Sequence, residues 1–234
     1  MAVFEDSLVG SIGGGQLEYQ SVMLARQFLI SGTPLPPSQR VPLGPSVGQC
    51  CGGVVELSYE KVLPSDLGVV LQRLKPKLAP LALFGGGHVG RALVRVLGDL
   101  PFALRWIDSR DEVFPTALPA YVSCEHSDPV QAAVSELQPG SAVLIMSFSH
   151  AEDLDILAAC LLRQRAQADL AYIGLIGSAT KWATFQHRLQ AKGFSSSDLD
   201  RVTCPIGLSG INSKRPEVIA VSVAAQLLGH LKID

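Results

Sequence analysis

The sequence has little charge of either sign. Lysine and arginine total 19 and aspartate and glutamate 21 in 234 residues, so the formal net charge is −2 and the charged fraction is 17%. A protein whose main partner is nucleic acid needs a surplus of basic side chains, so this balance excludes that class. The charged fraction lies below the roughly 25% of an ordinary domain. We therefore expect another copy or a partner protein to cover part of the surface.

Long apolar runs are also missing. No stretch reaches the roughly 18 uncharged residues of a membrane span, and the longest candidate, residues 218–228, contains Ser222 and Gln226. The chain begins with two acids, Glu5 and Asp6, where a secretory signal needs positive charge. These features predict a cytoplasmic protein that does not bind membranes.

Cysteine is too sparse for a disulfide framework. The chain has 5 cysteines, without Cys-x-x-Cys spacing or suitably placed histidines, so we predict no zinc site. Cys50 and Cys51 are adjacent in GQCCGG, residues 48–53, and adjacent cysteines do not readily pair. The glycines predict an accessible loop in which a thiolate meets a soft metal or a sulfur donor. The alternative is that both cysteines are small buried apolar residues.

Apolar residues make up 47% of the chain, enough for a substantial core. Prolines divide the sequence, and we predict an N-terminal α+β domain over residues 1–62, a linker over 63–79 and a second domain over 80–234. The first domain should contain a hairpin, a helix ending near Ser31 and a strand over 54–59. So few elements make a marginal domain, so strands are missing at its beginning or a partner completes it.

The second domain alternates apolar strands with helices. Strands are predicted over 81–84, 103–107, 120–123, 142–146 and 171–176, and helices over 89–97, 129–137, 151–163, 179–190 and 216–228. This alternation predicts an α/β fold with a Rossmann-like, doubly wound parallel sheet. In such sheets a ligand binds beyond the carboxyl ends of the strands.

A glycine turn follows the first of these strands. The sequence GGGHVG at residues 85–90 matches Gly-x-Gly-x-x-Gly between a strand and a helix, as in phosphate-binding turns. Asp108 ends the next strand, where an acid can meet a ribose hydroxyl, and Arg110 favours a phosphate instead. The turn predicts a phosphate-bearing ligand, and the alternative is a purely structural turn.

Three further segments follow strands. In SFSHAED, residues 147–153, His150 and Asp153 share a helix face and can act on a ligand, while Ser149 and Glu152 also match a capping box. In GLIGSATK, residues 174–181, Gly177, Ser178 and Lys181 form an anion site or an ordinary cap beside a solvated lysine. The sequence CPIG at 204–207 precedes Lys214 and Arg215, which bind phosphate or are solvated.

Together the motifs resemble the XdhC/CoxI family, the xanthine dehydrogenase accessory proteins. The segments that carry the resemblance are SIGGGQLE (11–18), GQCCGG (48–53), FGGGHVGR (84–91), DSR (108–110), His150 with Asp153, GLIGSATK (174–181) and CPIG (204–207). They occur in the family's order and span residues 8–228. Family members usually begin with a further segment, so we expect the N-terminal domain to be truncated.

The resemblance implies an XdhC/CoxI-type N-terminal domain and a Rossmann-like C-terminal domain. It implies a chaperone rather than an enzyme, which binds molybdenum cofactor and supports its sulfuration and its insertion into a xanthine dehydrogenase-type molybdenum hydroxylase. The implied partners are the apo-enzyme and a cysteine desulfurase, and the protein should be a homodimer. The predicted cofactor-binding residues are Gly13, Gly14, Gly15, Gln49, Cys50, Cys51, Gly85, Gly87, His88, Gly90, Asp108, His150, Asp153, Gly177, Ser178 and Lys181, and we predict neither catalytic residues nor metal ligands.

Two other functions compete with this interpretation. An NAD(P)-dependent oxidoreductase would use the turn at 85–90 with Asp108, and His150 would serve as the acid, although no second catalytic group stands out. An interaction scaffold would have purely structural glycine loops and no small-molecule ligand.

Overall fold

The computed structural model describes residues 1–32, 34, 38–44 and 52–231. The chain divides into two compact units, Met1–Lys75 and Pro76–Asp234. The division falls inside the stretch 63–79 that the prolines mark as a linker. The helix at Leu67–Leu74 lies within the first unit.

The described residues of the first unit form two small antiparallel strand pairs, two α-helices and a 3₁₀ segment at Pro64–Asp66. Its elements are β1 (Ala2–Val3), β2 (Leu8–Val9), α1 (Gly15–Ser31), β3 (Ser38–Pro42), β4 (Val54–Ser58) and α2 (Leu67–Leu74), with β1 paired to β2 and β3 to β4. The predicted hairpin, helix and late strand are confirmed. Strand β3 was missed, because its proline-rich surroundings indicated an irregular connection. Among the described residues of this unit only Leu17, Ser21 and Val22 are buried, so its core is small.

The second unit contains a sheet of six parallel strands, in the order β10-β9-β8-β5-β6-β7. The strands are β5 (Ala79–Phe84), β6 (Phe102–Asp108), β7 (Val122–His126), β8 (Ala142–Ile145), β9 (Tyr172–Leu175) and β10 (Val202–Thr203). The helices are α3 (His88–Leu97), α4 (His150–Gln167), α5 (Ala179–Ala191), α6 (Ser196–Leu199) and α7 (Pro216–His230). This is the strand order of a Rossmann fold, so the predicted doubly wound parallel sheet is confirmed.

Apolar side chains cover both faces of this sheet. On one face α3 and α7 pack against Leu81, Leu83 and Trp106. On the other face α4 and α5 pack against Phe84 and Ile145. A sheet buried on both faces explains why its strands read as continuous apolar runs rather than as alternating patterns.

The structure corrects the prediction around the third strand of the sheet. The predicted strand 120–123 is β7 at Val122–His126, and the predicted helix 129–137 is a 3₁₀ segment, Val130–Glu136. The Arg163 guanidinium of α4 donates hydrogen bonds of 2.7 Å to the carbonyls of Val134 and Leu137. The bond to Leu137 satisfies a carbonyl just after the segment, where no helical turn follows, and the Val134 carbonyl also accepts from the Leu137 N–H at 3.4 Å.

Two further elements, β10 and α6 of the second unit, were missed. They span two and four residues, too few for a periodic pattern. Within the part of the chain that the structure describes, no helix combines the length and apolarity that crossing a bilayer requires.

Candidate functional site

The candidate site lies at the carboxyl edge of the parallel sheet. Strand β5 pairs with β6 on one side and with β8 on the other, so the strand order reverses at this point. The turns that follow these three strands begin at Gly85, Ser109 and Met146. Ligands of open α/β sheets bind in the crevice at such a reversal.

The glycine turn packs too tightly for side chains at two positions. A Cβ atom on Gly85 would lie 2.0 Å from the Met146 carbonyl oxygen, and one on Gly90 would lie 2.0 Å from the Gly85 carbonyl oxygen. Gly85 also has a φ of +125°, a conformation that favours glycine. A Cβ on Gly87 would meet nothing within 4 Å. Gly85 and Gly90 therefore bring the start of α3 against the strand ends, and Gly87 faces open space.

The Asp108 side chain is hydrogen-bonded to the glycine turn. The carboxylate is buried and accepts four hydrogen bonds, one from the Gly86 amide at 2.6 Å and three from the backbone and guanidinium of Arg110 at 2.9–3.0 Å. Burial alone would raise the pKa of Asp108, but these hydrogen bonds outweigh it and hold the pKa below its usual value. The four bonds use the full acceptor capacity of a carboxylate, so the predicted ribose contact has no free acceptor here.

The turn after β8 is held by the first residues of α4. The backbone N–H and hydroxyl of Ser147 both donate to Asp153 Oδ1 at 2.7 Å. Ser149 caps α4 by accepting from the Glu152 N–H at 3.2 Å, which confirms the predicted cap. The Glu152 carboxylate, however, accepts from the Phe148 N–H and from the Ser109 hydroxyl instead of completing a capping box.

Removing the cap of α4 tests this arrangement. Changing Ser149 to alanine leaves an N–H of the first turn without its acceptor, so we expect the free energy of unfolding to fall by about 1 kcal/mol. Ser149→Asp keeps an acceptor at the same place and should lose much less. Chemical denaturation of both variants measures the difference, and equal losses would contradict the assigned cap.

Lys181 reaches back from α5 to the same turn. Its Nζ lies 2.6 Å from Asp153 Oδ2 and 2.8 Å from the Ile176 carbonyl oxygen. The Lys181 side chain is 11% exposed, so the alternative of a solvated lysine is wrong. The Ser178 hydroxyl caps α5, accepting from the Lys181 N–H at 3.2 Å, as predicted. Gly177 packs against the same side chain, since a Cβ added at this position would lie 2.8 Å from Lys181 Cδ.

The two histidines of the predicted site are exposed. His150 packs edge-on against Phe185 of α5, with ring centres 6.3 Å apart, while Asp153 is bonded to Ser147 and Lys181. These contacts of His150 and Asp153 therefore do not join the two side chains, and the interpretation that they act together is not supported by a direct contact. His88 is the first residue of α3 and lies beside the open space at Gly87.

The remaining predicted site residues precede the second unit in the chain. Gly13, Gly14 and Gly15 belong to the first unit, where the Glu18 carboxylate accepts from the Gly14 N–H at 3.1 Å and from Ser11 and Ile12. These hydrogen bonds lower the pKa of Glu18. Gln49, Cys50 and Cys51 lie outside the described residues.

The segment CPIG follows β10. Cys204 is half-buried, and burial raises the pKa of its thiol to about 11. It is therefore a weak source of thiolate at neutral pH. Lys214 and Arg215 are exposed just before α7.

Sequence reasoning missed one residue of the site. Phe148 is 65% exposed in the turn between β8 and α4, and the guanidinium carbon of Arg110 lies 4.3 Å from its ring centre. The available signal was its position just after a predicted strand, but the sequence interpretation of this segment considered only the polar side chains.

A groove of about 400 Å³ lies at the opposite edge of the sheet. Its lining includes Pro80, Ala103 and Ser141, at the amino ends of β5, β6 and β8. The glycine turn and the residues predicted to bind a ligand lie at the carboxyl ends instead, so this groove is not part of the candidate site. Among the described residues no group of three or more His, Cys, Asp or Glu side chains is arranged to hold a metal ion.

Comparisons with known proteins agree with this architecture. The family model of the XdhC Rossmann domain matches residues 81–227. The uncharacterized protein YqeB of Escherichia coli (strain K12) is 28% identical over 230 residues, which cover 96% of this chain and 38% of YqeB. The chain thus spans well under half the length of that relative.

A solved structure shares the fold. The crystal structure of a protein described as a xanthine dehydrogenase from Bacillus halodurans superposes with a TM-score of 0.66 and 20% identity. The match covers 94% of this chain and 82% of that one. At this identity the likeness concerns the fold.

Proposed function

The chain belongs to the XdhC family, and from that premise we propose that it is an accessory protein in the maturation of a xanthine dehydrogenase-type molybdenum hydroxylase. In this role it binds the molybdenum cofactor and supports the sulfuration of the cofactor and its insertion into the apo-enzyme. A cysteine desulfurase and the apo-enzyme are the proposed partners, and a homodimer is the proposed assembly. The activity is that of a chaperone rather than of a catalyst.

The observation that carries the proposal is the built geometry of the glycine turn. Gly85 and Gly90 admit no side chain, and their packing brings the first turn of α3 to the carboxyl edge of the sheet. Trp106 Nε1 donates to the Gly85 carbonyl at 3.0 Å, and Arg91 Nε donates to the Gly86 carbonyl at 3.2 Å. With both carbonyls bonded, the turn offers a ligand amide donors at a helix N-terminus, the preferred environment of a phosphate.

The residues fit a phosphorylated pterin. The open space at Gly87 suits the phosphate of the cofactor, because a Cβ there would meet nothing within 4 Å beyond the adjacent residues. The exposed Phe148 ring and the exposed His88 follow β8 and β5 at the same edge of the sheet, where we propose that the pterin ring binds. When bound, the cofactor supplies the molybdenum and its dithiolene for later use by the hydroxylase.

The buried carboxylates of the site position its turns. Asp108 holds the glycine turn, and the pair of Asp153 and Lys181 holds the turn after β8. Asp108 also weakens the alternative of an NAD(P)-dependent oxidoreductase, since its four hydrogen bonds leave no acceptor for a ribose diol. We therefore favour a chaperone that holds its ligand without transforming it.

The ligand released from the purified protein tests the proposal. After expression in cells that make molybdenum cofactor, we expect mass spectrometry of the denatured protein to identify a phosphorylated pterin. Gly87→Asp should lower the bound amount at least about tenfold, because the new carboxylate caps α3 and repels a phosphate.

The matched control is Gly229→Asp, which adds the same charge near the end of α7, where a Cβ also meets nothing within 4 Å. It should retain the ligand. Release of NADH or NADPH instead of a pterin would favour the oxidoreductase, and an empty protein that still supports hydroxylase maturation would overturn the cofactor-binding role.

A further inference from the structure

Phe148 is connected to the glycine turn by one chain of contacts. The Arg110 guanidinium stacks on its ring, with 4.3 Å between the guanidinium carbon and the ring centre. The same guanidinium donates to Asp108, from Nε to Oδ1 at 2.9 Å and from Nη2 to Oδ2 at 3.0 Å. Asp108 in turn accepts from the Gly86 amide at 2.6 Å. Arg110 and Asp108 therefore link the ring to the glycine turn at the carboxyl edge of the sheet.

The backbone at Phe148 and at the preceding residue is fixed by hydrogen bonds. Its own N–H donates to Glu152 Oε2 at 3.2 Å, and the preceding N–H of Ser147 donates to Asp153 Oδ1 at 2.7 Å. Glu152 Oε1 also accepts from the Ser109 hydroxyl at 2.7 Å, which ties this turn to the turn after β6. Because the backbone is fixed and the ring stacks on Arg110, little conformational entropy is lost when a ligand binds to the ring.

The exposure of this ring has no explanation in the core. Phe148 is 65% exposed, although its neighbours in the turn make the buried or partly buried hydrogen bonds that hold α4. An accessible aromatic ring backed by a guanidinium provides a surface for stacking a flat heterocycle. Stacking of this kind contributes about 1–3 kcal/mol for each nucleic-acid base.

We propose that Phe148, backed by Arg110, is the platform on which the flat ring of the ligand stacks at the carboxyl edge of the sheet. This inference rests on the proposed function, in which that ring is the pterin. It also gives the site a selectivity, because the acceptors of Asp108 that would bind a ribose diol are occupied. The ligand class is therefore a phosphorylated flat heterocycle recognised by its ring rather than by a ribose.

Removing the ring without disturbing the fold tests the platform. Phe148→Leu should weaken binding about 5- to 100-fold, the loss expected for one stacked ring. Phe148→Tyr keeps the ring and should bind within about twofold of the wild type, because the stacking face is unchanged. The probes are a phosphorylated 6-substituted pterin, AMP and NADPH, each titrated against the full chain by fluorescence or calorimetry. Denaturation of each variant confirms that its fold is intact.

The matched control is Leu162→Ala, which shortens a side chain that is 56% exposed on α4. It should bind every probe as the wild type does. Wild-type affinity in Phe148→Leu would overturn the platform. A wild-type protein that binds none of the three probes would overturn it as well. If AMP or NADPH binds, the pterin does not, and Phe148→Leu weakens that binding by the expected factor, the platform stands while the proposed cofactor is overturned.

Discussion

Changing Lys181 to methionine is expected to lower the free energy of unfolding by about 3–5 kcal/mol, the largest loss that we predict from a single polar substitution. The side chains of Lys181 and Asp153 are only 11% and 4% exposed, and their charged atoms lie 2.6 Å apart. Without the ammonium group, Asp153 is left as a buried carboxylate that accepts only from Ser147. Chemical denaturation followed by circular dichroism measures the loss.

A surface pair provides the control for this variant. Lys192 and Asp155 lie 3.7 Å apart with side chains 51% and 49% exposed, so Lys192→Met should cost less than about 1 kcal/mol. Adding Asp153→Asn to Lys181→Met removes the uncompensated charge and should recover part of the stability. Equal losses for Lys181→Met and Lys192→Met would contradict the assignment of a buried pair.

Changing Gly90 to alanine is expected to lower the free energy of unfolding by about 2–3 kcal/mol. Gly90 lies inside α3, where replacing glycine by alanine ordinarily stabilises a helix by about 1 kcal/mol. We expect the opposite sign here, because the new Cβ would lie 2.0 Å from the Gly85 carbonyl oxygen. The shift of the turn should also abolish binding of the phosphorylated ligand.

Gly87→Ala is the matched control, since it adds the same methyl group three residues before Gly90. At Gly87 the added Cβ would meet nothing within 4 Å beyond the adjacent residues. Its backbone φ of −73° suits any residue, so we expect a change within about 0.5 kcal/mol. Denaturation of the two variants under one set of conditions gives the comparison. A Gly90→Ala variant as stable as Gly87→Ala would show that α3 can move away from β5 without cost.

Much of the second unit was predictable because its main strands are apolar runs and its main helices have ten or more residues. Strands β5, β6, β8 and β9 and helices α3, α4, α5 and α7 follow the predicted order within a few residues. The prediction was wrong where local patterns compete. The 3₁₀ segment Val130–Glu136 has apolar residues at helical spacing, yet its last carbonyls bond to Arg163, which lies far along the chain.

The candidate site shows the same contrast. The caps Ser149 and Ser178 were predictable, since a capping hydroxyl acts on an amide three residues away. The roles of Asp108, Lys181 and Phe148 were not, because their partners lie on other turns. Asp108 accepts a hydrogen bond from Gly86, and Lys181 donates one to Asp153. The ring of Phe148 stacks with the guanidinium of Arg110.

The sequence by itself determined the α/β class, the parallel sheet, the glycine turn and the family, because each depends on local periodicity or on residues close together in the chain. Only the tertiary structure decided how the polar groups after the strands are used. Parallel strands bring the turns of β5, β6, β8 and β9 to one edge, where a carboxylate takes the nearest donors. A buried charge is unfavourable without a partner. In this fold Asp108 therefore accepts from the glycine turn, and Asp153 pairs with Lys181.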